Sequence, residues 1–133
     1  MLTDRELLRR VIDGEKTACD AFVVRFSRFV YAILHRNLRL GPDLADDLFQ
    51  SVFVHLWDDD CRRMRQWRGE GDFADYLGPI VRHLALGYLR SPRHKKEESA
   101  DGLDLDGLIG PEPTPEEEAR VQEQRSRLEH NLA

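Results

Sequence analysis

Apolar side chains recur every third or fourth residue through four separate stretches of this 133-residue chain, and no stretch alternates with the period of two that a half-buried strand requires. That pattern limits the chain to helices packed on helices. The first stretch opens on Thr3-x-x-Glu6, a capping box in which the hydroxyl accepts from the Glu6 N–H and the carboxylate reaches back. Leu7, Leu8, Val11 and Ile12 follow, and Gly14 supplies a stop. A second helix is expected over about 16–39, with Ala18, Phe22, Phe26, Phe29, Val30, Ile33 and Leu34 as its apolar stripe. Behind the breaker Gly41-Pro42, a third runs from Asp43 to Trp57 on Leu44, Ala45, Leu48, Phe49, Val52, Phe53 and Leu56. Residues 58–72 read as irregular.

A fourth helix is expected from Asp72 or Phe73 to Arg90, turning Leu77, Ile80, Val81, Leu84, Ala85 and Tyr88 inward. Pro79 lies within it and lacks the N–H that would bond the Asp75 carbonyl, so a kink or a late start is expected. Pro115 then opens a short charged helix with too few apolar positions to fold alone. The expected fold is all-α: a compact helical bundle of three to four helices with a flexible acidic C-terminal tail. Its division is a domain over 1–96, an acidic linker over 97–118 and a final helix begun over 119–133.

Charge is distributed unevenly. The net charge of -5 conceals a segment, 62–96, with 9 basic and 3 acidic side chains, followed by 97–118 with 9 acidic and no basic ones. Such polarity suits a polyanion site beside a spacer that mimics or avoids it. The N-terminus lacks the apolar core of a signal peptide, and no apolar run approaches the ~20 residues of a membrane span. A cytoplasmic location without a membrane partner is expected. Cys19 and Cys61 show no paired spacing; Cys19 reads as a buried thiol, Cys61 as exposed after Asp58-Asp59-Asp60. The five histidines form no HExxH or HxxxH pattern. Neither a metal nor a cofactor is implied, and no nucleophile–base pair or phosphate loop supports an enzyme.

Two surfaces carry the functional reading. On the third helix, Asp43, Asp47, Gln50 and Val54 are spaced by four, three and four and share one side, flanked by Asp46 and Ser51, with Trp57 adding apolar area. Alone this reads as a solvated helix face; acids mixed with apolar anchors also fit a basic partner helix. The second surface is basic and aromatic. Arg62, Arg63, Arg65 and Arg68 surround Trp67, then Gly69, Gly71, Phe73 and Tyr76; on the fourth helix Arg82, His83, Leu86, Arg90 and Arg93 point away from the apolar stripe, and His94, Lys95 and Lys96 continue the run. Guanidinium groups meet phosphates bidentately and aromatic faces stack unpaired bases. Trp67 and Phe73 are expected in the core, Tyr76 nearer the polar side.

These residues resemble a known family, the extracytoplasmic-function sigma factors. Asp43-Leu-Ala-Asp-Asp-Leu-Phe-Gln-Ser-Val-Phe-Val-His-Leu-Trp57 is similar to the family's region 2.2, whose pattern is matched by Asp47, Gln50, Phe53 and Trp57. Trp67-Arg-Gly-Glu-Gly-Asp-Phe-Ala-Asp-Tyr-Leu77 resembles region 2.3, and Ile80-Val-Arg-His-Leu-Ala-Leu-Gly-Tyr-Leu-Arg90 region 2.4. Leu7 to Glu15 resembles the opening helix and turn, and Pro115 to Leu128 the lead-in to region 4, the rest of which is then missing.

The resemblance implies a sigma region 2 fold. It also implies docking of Asp43, Asp46, Asp47, Gln50, Ser51, Val54 and Trp57 on the β′ clamp helices of core RNA polymerase. Contact with the non-template single strand of a minus-ten promoter element would fall to Arg65, Arg68, Tyr76, Arg82, His83, Leu86, Gly87, Arg90, Arg93 and Lys95. An anti-sigma factor is a further implied partner. Family members commonly carry Trp where Tyr76 stands, Asn where His83 stands and a polar residue where Gly87 stands, and Pro79 is unusual there. The docking surface therefore follows the family more closely than the promoter-reading one. The alternative is a sigma-like decoy or regulator that binds polymerase or an anti-sigma factor without opening DNA.

Overall fold

The computed structural model describes residues 2–90 and 113–132, without the side chains of 130–132. Five helices make up the described part: α1 (Asp4–Ile12), α2 (Lys16–Ala32), α3 (Pro42–Gln66), α4 (Phe73–Leu89) and α5 (Pro115–Leu132). The all-α expectation holds. The acidic segment expected as a flexible tail lies outside the described residues up to 112.

Thr3 caps α1, accepting from the Glu6 N–H at 3.2 Å. The chain turns at Gly14 in the left-handed region (φ +86). From α1, Asp4 works in two directions at once. One carboxylate oxygen accepts from Arg25 of α2 at 2.9 Å, and the other accepts from the Phe73 N–H at 2.9 Å. Asp72 gives α4 no side-chain cap, so a carboxylate from 69 positions earlier satisfies one of its free donors.

The core is organised around Phe22. Its ring lies 4.9 Å from Phe26, 6.2 Å from Phe53, 5.3 Å from Trp57 and 5.6 Å from Phe73, mostly edge to face. One side chain therefore ties α2 to both α3 and α4. Every residue of the four expected stripes is buried or packed against the core except Ile80, which is half-buried. Val23 and Tyr31, outside those stripes, are buried as well.

Three details depart from the sequence expectation. Helix α2 ends at Ala32 rather than 39 and passes into a π-helical turn over Ile33–Asn37, closed by Leu38 N–H donating to the Ile33 carbonyl at 2.9 Å. Helix α3 continues to Gln66, broken at Asp58–Cys61, where Asp59, Asp60 and Cys61 take left-handed φ values of 54–59°. Burial of Cys61 and Met64 anchors the turns beyond that break, which is why residues expected to be irregular are partly helical. Cys61 is accordingly buried, not exposed. Helix α4 starts at Phe73, within the expected bounds, and runs through Pro79. The proline faces solvent, where water can serve the carbonyl it leaves unbonded, so no late start is needed.

Phe22→Ala should lower unfolding free energy by about 3–5 kcal/mol, read from urea denaturation followed by circular dichroism. Val24→Ala, two residues on but half exposed, should stay within about 0.5 kcal/mol.

Candidate functional site

Helix α3 is two-sided. Ala45, Leu48, Phe49, Val52, Phe53 and Leu56 face the core. On the other side Asp43, Asp47, Ser51 and Val54 are exposed, Val54 at 55 %. Two more members of the expected docking set are already engaged. Asp46 accepts from the Tyr31 hydroxyl at 3.1 Å and from Arg120 of α5 at 2.8 Å. The Gln50 amide donates to the Gln124 backbone carbonyl at 2.9 Å and to its side-chain oxygen at 2.8 Å. Trp57 departs further: it is half-buried against Phe22, spending its ring on packing instead of on the outer face.

The buried Tyr31 phenol is pushed up to about 12 by burial and by the Asp46 carboxylate beside it. It stays a neutral donor that fixes Asp46 in place. Asp46 is thus held from both sides and Gln50 by α5 alone, while Asp47 is exposed and Asp43 lies 3.8 Å from Arg120.

Helix α5 reaches this face by a device present in the sequence but not read from it. Thr114 and Glu117 form a complete capping box: Glu117 N–H donates to the Thr114 hydroxyl at 3.1 Å, and Thr114 N–H donates to the Glu117 carboxylate at 3.0 Å. The same carboxylate accepts from Arg36 at 2.6 Å and meets His35 Nδ1 at 2.8 Å. Those bonds, the Arg36 one foremost, hold it well below the usual carboxylate range. Glu118 is lowered in the same way by Arg28, 2.9 Å away. Glu117, Val121, Gln124 and Leu128 are the buried stripe of α5, again spaced by four, three and four. Only two of them are aliphatic, so apolar burial contributes about 3–6 kcal/mol, before the cost of ordering an 18-residue helix.

The basic side is less uniform than expected. His83, Gly87 and Arg90 are exposed along one side of α4, and Arg68 is exposed in the loop before it. Arg82 and Leu86 are half-buried; Arg82 lies over Gly78, and its Nε is buried without a partner. Arg65 is turned back onto Asp60, donating to the Asp60 carbonyl at 2.7 Å and the carboxylate at 3.2 Å. Tyr76 is half-buried, with its hydroxyl donating to the Arg63 carbonyl at 2.9 Å. Phe73 is fully buried as expected, and Trp67 is half-buried against it at 5.2 Å. Arg93 and Lys95 lie outside the described residues. The loop between α3 and α4 needs glycine at 69: φ is +79°, and a Cβ there would sit 2.8 Å from the Arg5 guanidinium.

Among the described residues no group of three metal-ligating side chains gathers, and no helix is long and apolar enough to cross a membrane.

The family model for sigma-70 region 2 matches residues 22–95, a span that begins at the core aromatic of α2 and includes all of α3 and α4. A probable RNA polymerase sigma factor, RfaY, of Xanthomonas campestris is 35 % identical over 97 residues, 69 % of this chain and 23 % of the relative. The extracytoplasmic-function sigma-E factor of Haemophilus influenzae is 29 % identical over 123 residues, 88 % of this chain and 62 % of its own. Its Escherichia coli K12 counterpart is 30 % identical over 88 residues, covering 66 % and 43 %. The chain thus spans less than two thirds of each of these relatives. No solved structure matches it.

Because Glu117 has its titration lowered by Arg36, Thr114 and His35, its contribution to stability is present above the ordinary glutamate value of 4.5 and is lost as pH falls below it. Thermal unfolding against pH should therefore show Glu117→Gln less stable than the native chain at pH 7, with the gap closing in acid. The match over 22–95 and the sigma-E relatives together make the chain a member of the sigma-70 family, of the extracytoplasmic-function type, carrying that family's region 2.

Proposed function

We propose that this chain is a transcription initiation module that works in the cytoplasm. On this reading the outer side of α3 docks on the β′ clamp helices of core RNA polymerase. Arg68, Arg82, His83, Leu86, Gly87 and Arg90 contact the non-template strand of an opened minus-ten element, with Arg93 and Lys95 continuing the basic run. The observation that carries it is the separation of two surfaces on one rigid core. Exposed Asp43, Asp47, Ser51 and Val54 stand on α3, while exposed His83, Gly87 and Arg90 stand on α4. Both helices are tied to Phe22, so neither surface can drift relative to the other. Exposed carboxylates around an apolar residue suit a basic partner helix, and the guanidinium groups of Arg68, Arg82 and Arg90 suit phosphates.

A second reading is favoured by two specific bonds. The Tyr76 hydroxyl is committed to the Arg63 carbonyl and the Arg65 guanidinium to Asp60. Two groups expected to contact the unpaired strand are thereby engaged within the chain. On that reading the chain is a sigma-like decoy or regulator, held by polymerase or an anti-sigma factor without promoter opening. An anti-sigma factor would cover the same apolar and acidic side of α3.

Asp47→Arg with Gln50→Ala should weaken capture by core polymerase at least about tenfold, roughly 1.4 kcal/mol; undiminished capture would end the docking reading. Fluorescence anisotropy with single-stranded promoter DNA should show log K falling with log salt by about 0.7 per phosphate neutralised. Arg90→Ala should reduce that slope by about one such step. Polymerase binding with no affinity for the single strand would select the decoy.

A further inference from the structure

The surface assigned to polymerase is partly occupied by the chain itself. Helix α5 packs against both α2 and α3, and its charges fall in the order of those beneath it. The acids at its start, Glu117 and Glu118, meet Arg36, His35 and Arg28. Arg120, one turn on, meets Asp46 at 2.8 Å and Asp43 at 3.8 Å. One turn further, Gln124 receives both bonds from Gln50. From Asp46 to Gln50 and from Arg120 to Gln124 both helices advance four residues, so α5 runs alongside α3 in the same direction.

We infer that α5 is an intramolecular latch: in the closed chain it holds Asp46 and Gln50, and it must leave α3 before polymerase can use them. The inference rests on the reading of α3 as the docking surface. Three observations give the latch its properties. Its seat is specific, because one carboxylate at Glu117 caps α5 and binds Arg36 and His35 together. It is incomplete, because Asp47, Ser51 and Val54 stay exposed beside it, leaving an encounter surface for a partner. And it is reversible, because it buries few aliphatic side chains and leaves Glu118 Oε2 buried without a partner, a group that gains water on opening. When Arg120 departs, Asp46 keeps its bond from Tyr31 and stays aimed outward.

A charge reversal away from α3 tests this without touching the docking set. In the full chain, Glu117→Arg sets like charge against Arg36 and should release α5, read as faster hydrogen exchange of its amides. Affinity for core RNA polymerase should rise about tenfold, by the fraction of closed chain removed. Adding Arg36→Glu restores an opposite-charge pair and should return both α5 protection and the lower affinity. Unprotected α5 amides in the native chain would overturn the latch. So would released α5 with unchanged polymerase affinity, while leaving the docking reading intact. A fall in affinity on release would make α5 part of the docking surface and overturn it too. If neither the native chain nor the released variant binds polymerase, the docking reading fails and the latch falls with it.

Discussion

The edge-to-face packing around Phe22 is the constraint on which the rest of the molecule depends. An aromatic ring in van der Waals contact with others from two further helices fixes distances and angles together, which aliphatic contacts do less sharply. Here the ring touches Phe53 and Trp57 on α3 and Phe73 on α4. Asp4 adds a polar tie, joining α1 to α2 through Arg25 and to the first residue of α4 through a backbone donor. The result is a core whose outer surfaces are set at fixed separation, which the proposed docking of a protein on one side and a nucleic acid on another requires. Trp57 shows the cost of this arrangement: a residue matching the family's docking pattern is drawn into the core-side cluster.

Helix α5 is held on different terms. Its contacts with the bundle are chiefly ionic and amide bonds, several of them partly exposed, and such bonds are worth far less than their number suggests. The exception is Glu117, nearly buried, whose cap, arginine and histidine bonds satisfy one carboxylate completely. Removing one partner from a buried, fully bonded charge is much costlier than removing an exposed pair. Control of α5 is therefore concentrated in one side chain at its first turn, while the body of the helix is only loosely committed.

Much of this was legible in the sequence, and the remainder fails for identifiable reasons. The four apolar stripes announced the bundle because burial at helical spacing is a statement about many residues at once. Asp43, Asp47 and Val54 could be placed on one outward side by spacing alone. The left-handed break at Asp58–Cys61 could not be seen, since three consecutive non-glycine residues in that region go against local preference and are held by tertiary burial of Cys61 and Met64. The intramolecular bonds of Tyr76 and Arg65 depend on two carbonyls and a carboxylate that only this backbone path brings into reach. The docking of α5 escaped because a hydrophobicity pattern looks for apolar residues, and its stripe alternates Glu117 and Gln124 with Val121 and Leu128. Yet Thr114-Pro115-Glu116-Glu117 is a capping box with proline at the first helical position, a signal that was there to be read.

The two four-three-four rows explain why that omission matters functionally. Asp43, Asp47, Gln50 and Val54 on α3 form one row; Glu117, Val121, Gln124 and Leu128 on α5 form a second row of the same period. Helices of equal period can lie alongside each other over several turns, so any helix with basic and amide groups at that spacing can compete for the first. What decides between an internal and an external helix is then the balance of a few polar bonds, because the apolar area offered by α3's outer side is small. A surface built on weak, directional bonds is one on which an internal helix can be exchanged for an external one of the same chemistry.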